Sequence, residues 1–209
     1  MKRIGIMGGT FDPPHIGHLS AAEMARVALR LDCVLFVPTN RSPWKMSKEM
    51  SSTEQRVAMV ERAIADNPHF QLSRADVDRP PPSYTFETLR MLCDQFPGCD
   101  LFFIMGLDSL HDLGNWHHAD EIVRLAQMVV CARPGFKMDV GQMMALLNQL
   151  PALLERLTFV EMPELAIAAS DLQQRVRSGQ SIRYLVPDSV CEYIAEQGLY
   201  ANHVDARMP

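Results

Sequence analysis

Two histidines near the start of the chain, His15 and His18, stand three residues apart in the stretch GGTFDPPHIGH. Pro13 and Pro14 precede them, and because proline is tolerated only in the first turn of a helix, a helix is predicted to begin at residues 14–16. Side chains at positions i and i+3 share one helix face, so both imidazole rings should overlook the helix N-terminus. Backbone N–H groups and the positive dipole end at such a terminus attract anions, phosphate above all. The histidine pair therefore predicts a phosphate-binding site.

Glycines around this stretch support the same interpretation. Gly8 and Gly9 end the preceding apolar run and allow the backbone to approach a ligand closely. Gly17, between the histidines, leaves out a side chain that would block the approach. Neither the Walker pattern, GxxxxGK followed by Ser or Thr, nor the dinucleotide pattern GxGxxG occurs in the chain. The predicted phosphate site therefore belongs to another type.

The elements that must position this site alternate along the chain. Strand-like runs such as CVLFVP and DLFFIMG are apolar throughout and are separated by helical patterns. The first helix is predicted over residues 16–31, with Leu19, Ala22, Val27 and Leu29 facing inward. A second helix is predicted to start after Ser51 or Ser52 and to run to about Asp66, because Glu54 and Gln55 stand three residues after the two serines as in overlapping capping boxes.

Apolar strands alternating with helices indicate a parallel sheet covered on both faces. The predicted fold class is therefore α/β, with a Rossmann-like, doubly wound, mostly parallel sheet and helices on both faces. We expect one domain over residues 1–209, with a small C-terminal helical part at about residues 165–200. In such sheets ligands bind at the carboxyl ends of the strands, which is where the glycines and histidines lie.

The bulk composition excludes several function classes. A net charge of −5 gives no general attraction to nucleic acid or to an acidic membrane surface. The apolar runs are too short to cross a bilayer, and the N-terminal stretch lacks the apolar core of a signal peptide, so a cytoplasmic location is expected. The five scattered cysteines form no CxxC pair and are expected to be reduced thiols. The expected partners are small molecules.

A strand, a glycine turn and His-x-Gly-His at a helix start together resemble the nucleotidyltransferase superfamily related to class I aminoacyl-tRNA synthetases. The string GGTFDPPHIGH resembles its adenylyltransferase branch. The segments PSYTFETL, GLDSLHDLGNWHHADEI, VCARPG and YLVPDSVCEYIAEQGLY are similar to blocks of bacterial nicotinate-nucleotide adenylyltransferase, and together they extend the resemblance over almost the whole chain. The resemblance implies transfer of an adenylyl group from ATP to nicotinate mononucleotide. The products would be nicotinate adenine dinucleotide and pyrophosphate, in NAD biosynthesis.

The resemblance also implies a set of site residues, with His15 and His18 as the catalytic pair. Both histidines would hold the ATP phosphates, His18 at the α-phosphate. The other implied ATP-binding residues are Gly8, Gly9, Thr10, Phe11, Gly106, Asp108, Arg133 and Ser170, with Asp108 accepting ribose hydroxyls. The implied mononucleotide-binding residues are Asn40, Lys45, Ser83, Tyr84, Thr85 and Trp116.

Within the acceptor site, the resemblance gives two further roles. Backbone N–H groups at Tyr84 and Thr85 would receive the nicotinate carboxylate, because both residues are predicted to lie at a helix start. Trp116 would stack on the pyridine ring, although tryptophan is also a common core anchor.

The implied chemistry requires no protein nucleophile. Attack of a phosphate on the ATP α-phosphorus depends on positioning and on neutralising the developing charge. The sequence shows no carboxylate cluster that suggests a metal cage. We therefore predict no protein-held metal and expect Mg²⁺ to arrive with ATP.

Two positions depart from the family pattern. Trp44 stands in NRSPWKMS where the family usually has histidine, leaving Lys45 or Arg41 as candidates for the substrate phosphate. In IAASDLQQR, Gln173 takes the place of an arginine of the C-terminal ATP motif. Losing a guanidinium fork beside a triphosphate removes a strong charge-assisted contact.

Nearby residues could offset that loss in the C-terminal motif. Ser170 still supplies a hydroxyl there and is placed to cap the next helix. Arg175 or Arg177 could supply the missing guanidinium.

Two alternatives to the favoured activity stay open at this point. One is a catalytically weak descendant that binds nucleotides as a sensor or partner protein, which Gln173 favours and the intact histidine pair disfavours. The other is the same chemistry with nicotinamide mononucleotide, the amide, as the acceptor. The sequence gives no indication of the oligomeric state.

Overall fold

The computed structural model describes residues 1–41, 50–132 and 139–201, and within these ranges six strands form one sheet. The strands are β1 (Arg3–Gly9), β2 (Cys33–Pro38), β3 (Phe70–Leu72), β4 (Asp100–Gly106), β5 (Gln127–Ala132) and β6 (Leu157–Glu161). Their order is β3-β2-β1-β4-β5-β6, and every neighbouring pair is parallel. This confirms the predicted Rossmann-like α/β class.

Helices connect the strands and cover both faces of the sheet. They are α1 (Ile16–Leu29), α2 (Thr53–Ile64), α3 (Thr85–Gln95), α4 (Leu107–Asp112), α5 (Ala119–Leu125), α6 (Val140–Gln149), α7 (Leu153–Arg156), α8 (Ala169–Arg177) and α9 (Asp188–Glu196), with a short 3-10 helix at Leu113–Asn115. The capping box at Ser52 and Gln55 is present in both directions, as the sequence predicts. The sequence pattern does not predict α4, which begins directly at the end of β4.

The first helix differs from its prediction at its end and on its inner face. Arg30 adopts a left-handed conformation with φ of 51°, which ends the helix before residue 31. Val27, predicted to face inward, is 60% exposed, whereas Ala22 and Ala25 are buried. Position 27 is about 200° around the helix from position 25, so the two cannot share the inner face. Small alanines therefore form the closest contact of α1 with the sheet.

Two apolar cores lie on opposite faces of the sheet. One contains Met7, Phe36 and Ile104 together with buried residues of α1, α2, α8 and α9. The other contains Ile6, Phe103 and buried residues of α3, α4 and α5. No helix in the part of the chain that the structure describes is long and apolar enough to cross a membrane.

The sheet order reverses between β1 and β4, the strands that begin its two halves. Met7 of β1 pairs with Ile104 of β4, so Gly9 and Gly106 lie level at the carboxyl edge two residues further on. In open α/β sheets this switch point is where ligands bind, because the loops leaving the two strands diverge there.

Candidate active site

His15 and His18 form a stacked pair at the start of α1. Their ring centroids are 3.7 Å apart, and the two rings are inclined by 28°. The backbone N–H of His15 donates to Nδ1 of His18 at 3.2 Å. Because Nδ1 accepts this bond, the proton of a neutral His18 lies on Nε2. The contact thus fixes both the tautomer and the direction of the His18 ring.

His15 is buried, with 7% of its surface exposed. Burial lowers its pKa to about 4, so the ring is neutral at pH 7. Its Nδ1 atom is buried and has no hydrogen-bond partner among the described residues. A Cβ at Gly17 would lie 3.0 Å from this atom, so Nδ1 faces the first turn of α1.

Phe11 supports His18 from beneath. Its ring is 2% exposed and meets the His18 ring edge-on at 5.1 Å, with Phe36 on its other side. A Cβ at Gly9 would lie 3.1 Å from the Phe11 ring, so this packing needs a glycine there. The predicted contact of Phe11 with phosphate can therefore involve its backbone, while its side chain belongs to the core.

A cavity of about 820 Å³ opens at the carboxyl ends of the central strands. It brings together seven of the predicted residues: Gly8, Gly9, Thr10, Ser83, Tyr84, Thr85 and Trp116. The glycine turn after β1 forms one part of its wall, and the N-terminus of α3 forms another. One cavity thus joins the glycine turn of the predicted phosphate site to the predicted acceptor turn, whereas His15 and His18 are not among its lining residues.

The acceptor end of the cavity is rich in aromatic rings. Tyr84 is the N-cap of α3, and its ring lies 4.6 Å from that of His117. Trp116 lines the cavity and meets Phe103 edge-on, with ring centroids 5.9 Å apart. Trp116 is therefore both packed against the core and turned to the cavity, so the two sequence interpretations are compatible.

Asp76 is a lining residue that the sequence analysis missed. Its buried carboxylate accepts hydrogen bonds from the Asn40 N–H at 2.8 Å, the Thr88 hydroxyl at 2.8 Å and the Arg79 guanidinium. Arg79 also donates to the Tyr84 carbonyl at 3.0 Å. The carboxylate thereby ties the end of β2 to the first turn of α3. The available signal was Asp76 three residues before Arg79, the residue that opens RPPPS.

The other missed lining residues with polar side chains come mainly from the segment after β4. They are Thr39, Thr88, Ser109, Asp112, Asn115 and His117. Four of them lie in GLDSLHDLGNWHHADEI and Thr88 lies in PSYTFETL, two segments that carry the family resemblance, but no spacing pattern distinguishes these residues from ordinary surface residues. The path of the chain around α4 and the 3-10 helix brings the four to the cavity.

Asn40 lies beside the cavity with its side chain already engaged. Its amide nitrogen donates to the carbonyl of Arg79 at 2.8 Å and to that of Val77 at 3.4 Å. The amide hydrogens therefore hold the 77–79 turn, and the predicted contact with the mononucleotide stays a prediction. Lys45, Trp44 and Arg133 lie outside the described residues.

Gly106 and Asp108 are exposed at the carboxyl end of β4 and the start of α4, apart from the cavity walls. A Cβ at Gly106 would meet nothing within 4 Å, so open space adjoins it. Ser170 is exposed in the first turn of α8 but does not cap it, because the helix begins at Ala169 with Ala168 as N-cap. The predicted cap was two residues too late.

Gln173 contacts the phosphate-binding loop directly. It is 7% exposed, and its Nε2 donates to the Asp12 carbonyl at 2.7 Å. Arg175 lies about 200° further around α8 and is exposed, so it does not share the face of Gln173. Arg177 shares that face but lies one turn further along the helix.

Asp12 is held at its side chain as well. Its buried carboxylate accepts from the Tyr200 hydroxyl and from the Ser51 N–H at 3.2 Å. Burial and the adjacent carboxylate both raise the pKa of Tyr200, which keeps its hydroxyl protonated as the donor. Helix α8 and the chain end after α9 therefore brace the loop between Thr10 and His15.

The described residues contain no group of three or more His, Cys, Asp or Glu side chains that could hold a metal ion. The described cavity lining combines backbone groups and hydroxyls with the carboxylates of Asp76 and Asp112 and the imidazole of His117.

The chain is similar to known proteins over nearly its whole length. Residues 6–183 match the cytidylyltransferase-like family. The chain is 50% identical over 198 residues to a protein named probable nicotinate-nucleotide adenylyltransferase from Roseiflexus sp. strain RS-1, covering 94% of this chain and 97% of that one. It is 44% identical to one of the same name from Thermomicrobium roseum, covering 100% and 96%.

A solved structure is similar in fold alone. Plasmodium falciparum nicotinic acid mononucleotide adenylyltransferase, complexed with NaAD, superposes with a TM-score of 0.76 at 19% identity. The similarity covers 96% of this chain and 98% of that one.

Proposed function

The chain belongs to the nicotinate-nucleotide adenylyltransferases of the cytidylyltransferase-like family, and we propose that its cavity transfers an adenylyl group from ATP to nicotinate mononucleotide. The products are nicotinate adenine dinucleotide and pyrophosphate, and the reaction is a step of NAD biosynthesis. The observation that carries this proposal is the single cavity, which extends from the glycine turn after β1 to the first turn of α3. Two phosphorylated substrates need such a joined site.

At the donor end, the stacked histidines supply the contacts to ATP. The Nδ1 of His18 accepts the His15 N–H, so its Nε2–H is the donor that can stabilise charge developing on the α-phosphate. The neutral His15 ring stacks on the His18 ring and so helps to fix its direction. Gly8 and Gly9 let the triphosphate approach the backbone.

At the acceptor end, the first turn of α3 receives the nicotinate carboxylate. Tyr84 and Thr85 stand where backbone N–H groups and the helix dipole favour an anion. Trp116 covers the pyridine ring from the side opposite Phe103. Ser83 closes the turn through a bond with Arg41, whose N–H donates to the Ser83 hydroxyl at 3.2 Å.

The transfer itself requires alignment more than protein chemistry. The phosphate of the mononucleotide attacks the ATP α-phosphorus, the bond to the β-phosphate oxygen breaks, and pyrophosphate leaves. Enzymes of this class use ATP and typically need a divalent metal ion. We infer that Mg²⁺ enters with ATP, because the described side chains form no cluster that could hold it. The site thus uses two small molecules, and we expect it to act in the cytoplasm.

The test is a direct assay of both products. The purified chain is mixed with ATP, Mg²⁺ and nicotinate mononucleotide, and pyrophosphate and the dinucleotide are quantified together. Equal amounts of the two products, dependent on both substrates, support the proposal. Binding of ATP without turnover would instead support a nucleotide-binding protein that has lost catalysis.

A further inference from the structure

Arg56 is the largest of the fully buried side chains, with 1% of its surface exposed. Its guanidinium donates to the carbonyl oxygens of Thr10 at 2.9 Å, Thr39 at 2.6 Å and Asn40 at 2.8 Å. Longer bonds reach the Ser51 carbonyl and the Thr53 hydroxyl, each at 3.3 Å. One side chain of α2 thus binds the loop after β1 and the loop after β2 at once.

These bonds also fix the direction of the N–H group in each of the three peptides whose carbonyl accepts from Arg56. In a trans peptide the N–H is antiparallel to the C=O, so a carbonyl turned to Arg56 directs the next N–H away from it. The peptide with the Thr39 carbonyl contains the N–H of Asn40, and this N–H donates to Asp76. The peptide with the Asn40 carbonyl contains the N–H of Arg41, and this N–H donates to the Ser83 hydroxyl. Both acceptors line the cavity.

The third of these peptides lies at the ATP-binding end of the proposed site. Its carbonyl is that of Thr10, so the N–H of Phe11 points away from Arg56 at the start of the phosphate-binding loop. Arg56 is therefore the junction of two hydrogen-bond chains. One runs into the loop that carries the histidines, and the other runs through Asp76 and Ser83 to the first turn of α3.

The position of Arg56 is electrostatically unfavourable for a positive charge. It is the fourth residue of α2, in the helix turn where the dipole disfavours a cation. Burial lowers its pKa, opposed by the nearby negative charges of Asp12 and Asp76. None of the ion pairs among the described residues includes Arg56, so its charge is solvated mainly by loop carbonyls.

We propose that Arg56 is a positioning residue that fixes the ATP-binding loop relative to the acceptor-binding loop, and so aligns the two substrates. The inference rests on the proposed adenylyl transfer. Each half is also held without Arg56: Gln173 and Tyr200 brace the donor loop, while Arg79 and Thr88 brace the acceptor turn through Asp76. Loss of Arg56 therefore leaves both half-sites formed but lets one shift against the other.

Steady-state kinetics of Arg56→Lys test this role, because an ammonium keeps the charge but cannot donate in a fork to several carbonyls. Misplacement of reacting groups by about 1 Å costs roughly 100-fold in rate, so kcat should fall by about that factor. The KM values for ATP and for the mononucleotide should each stay within about threefold, since uniform binding is retained. Arg62→Lys, an exposed change on the same helix, is the matched control with unchanged kcat.

The outcomes separate the hypotheses. If the parent chain forms no dinucleotide, the proposed function is wrong, whatever the variants show. An active parent with an unchanged kcat in folded Arg56→Lys, or with a loss confined to one KM, overturns the positioning role. Should Arg56→Lys not fold, Thr53→Val decides, because it removes one acceptor of the guanidinium at the helix surface. A several-fold loss of kcat with both KM values unchanged supports the role, and an unchanged kcat overturns it.

Discussion

The side-chain amide of Gln173 donates a hydrogen bond of 2.7 Å to the backbone carbonyl of Asp12, a residue 161 positions earlier in the chain. Gln173 stands where the family resemblance implies an arginine at the ATP phosphates. The bond shows that this position reaches the phosphate-binding loop. The exposed Arg175 points elsewhere and does not take over the missing guanidinium.

Gln173→Arg should lower the KM for ATP several-fold and leave the KM for the mononucleotide nearly unchanged. A guanidinium can donate to the Asp12 carbonyl and still direct another N–H toward the triphosphate. A charged hydrogen bond contributes about 1.5–3 kcal/mol, against about 0.5–1.5 for a neutral one, which is up to about tenfold in affinity. Gln173→Met, which lacks any donor, is the control and should raise the same KM. A constant ATP KM in Gln173→Arg would mean that another cation already fills the place.

His18→Ala should lower kcat by roughly 100- to 1000-fold, the effect of removing one preorganised donor from a developing charge. The variant should stay folded, because the ring lies at the helix start against His15 rather than inside the core. Rapid-quench measurement of the dinucleotide, with melting followed by circular dichroism, gives both quantities. His69→Ala, an exposed histidine outside the cavity, should leave kcat unchanged. An unaltered rate in His18→Ala would contradict the assignment.

His15 should make the protein less stable as the pH falls. Its folded pKa of about 4 lies below the ordinary value of 6.5, so between these values the unfolded chain binds the proton more readily. The contribution of His15 is fully present above pH 6.5 and is lost as the pH falls toward 4. At 1.36 kcal/mol for each unit, the total is about 3 kcal/mol, with about 2 of it lost between pH 7 and pH 5.

Urea unfolding at pH 7 and pH 5 measures this loss. His15→Gln replaces the titrating ring by a neutral amide, so the decrease between the two pH values should be about 2 kcal/mol smaller in the variant. The same pH dependence in parent and variant would show that His15 is not the group responsible.

Trp116→Ala should raise the KM for the mononucleotide by about three- to tenfold, because an aromatic pair contributes about 0.5–1.5 kcal/mol beyond buried area. The melting temperature should fall as well, since the indole packs against Phe103. Trp116→Phe keeps an aromatic face and should recover most of both losses. A lower melting temperature with an unchanged KM would leave Trp116 as a core anchor only.

The acceptor should be the acid rather than the amide. A helix N-terminus favours a carboxylate over a neutral carboxamide, and Tyr84 and Thr85 present that terminus to the cavity. Initial rates with nicotinate mononucleotide and with nicotinamide mononucleotide, at matched concentrations, measure the preference. Equal use of both would remove the carboxylate role from this turn.

Local chemistry made the strands, most helices and the phosphate-binding turn predictable. Apolar runs, prolines at a helix start and a serine cap affect only the few residues around them. Their structural effects can therefore be predicted from the sequence. The predicted pairing of His15 with His18 is of this kind, and the stacked rings follow from their spacing on one helix. That the chain forms one domain over residues 1–209 stays a prediction.

Only the tertiary structure decided which side chains face the site and which are packed in the core. Phe11 was predicted at the phosphates, but its ring faces the core because the left-handed turn at φ of 52° directs it there. Asp76 and Arg56 carry no motif, yet they connect the loops of two strands. Their partners are distant in sequence, and a hydrogen bond between distant residues exists only once the sheet has set its strand order. Spacing along the chain therefore placed His15 and His18 on one helix face, and the packing of α2, α8 and the segment after α9 showed what holds the preceding loop in place.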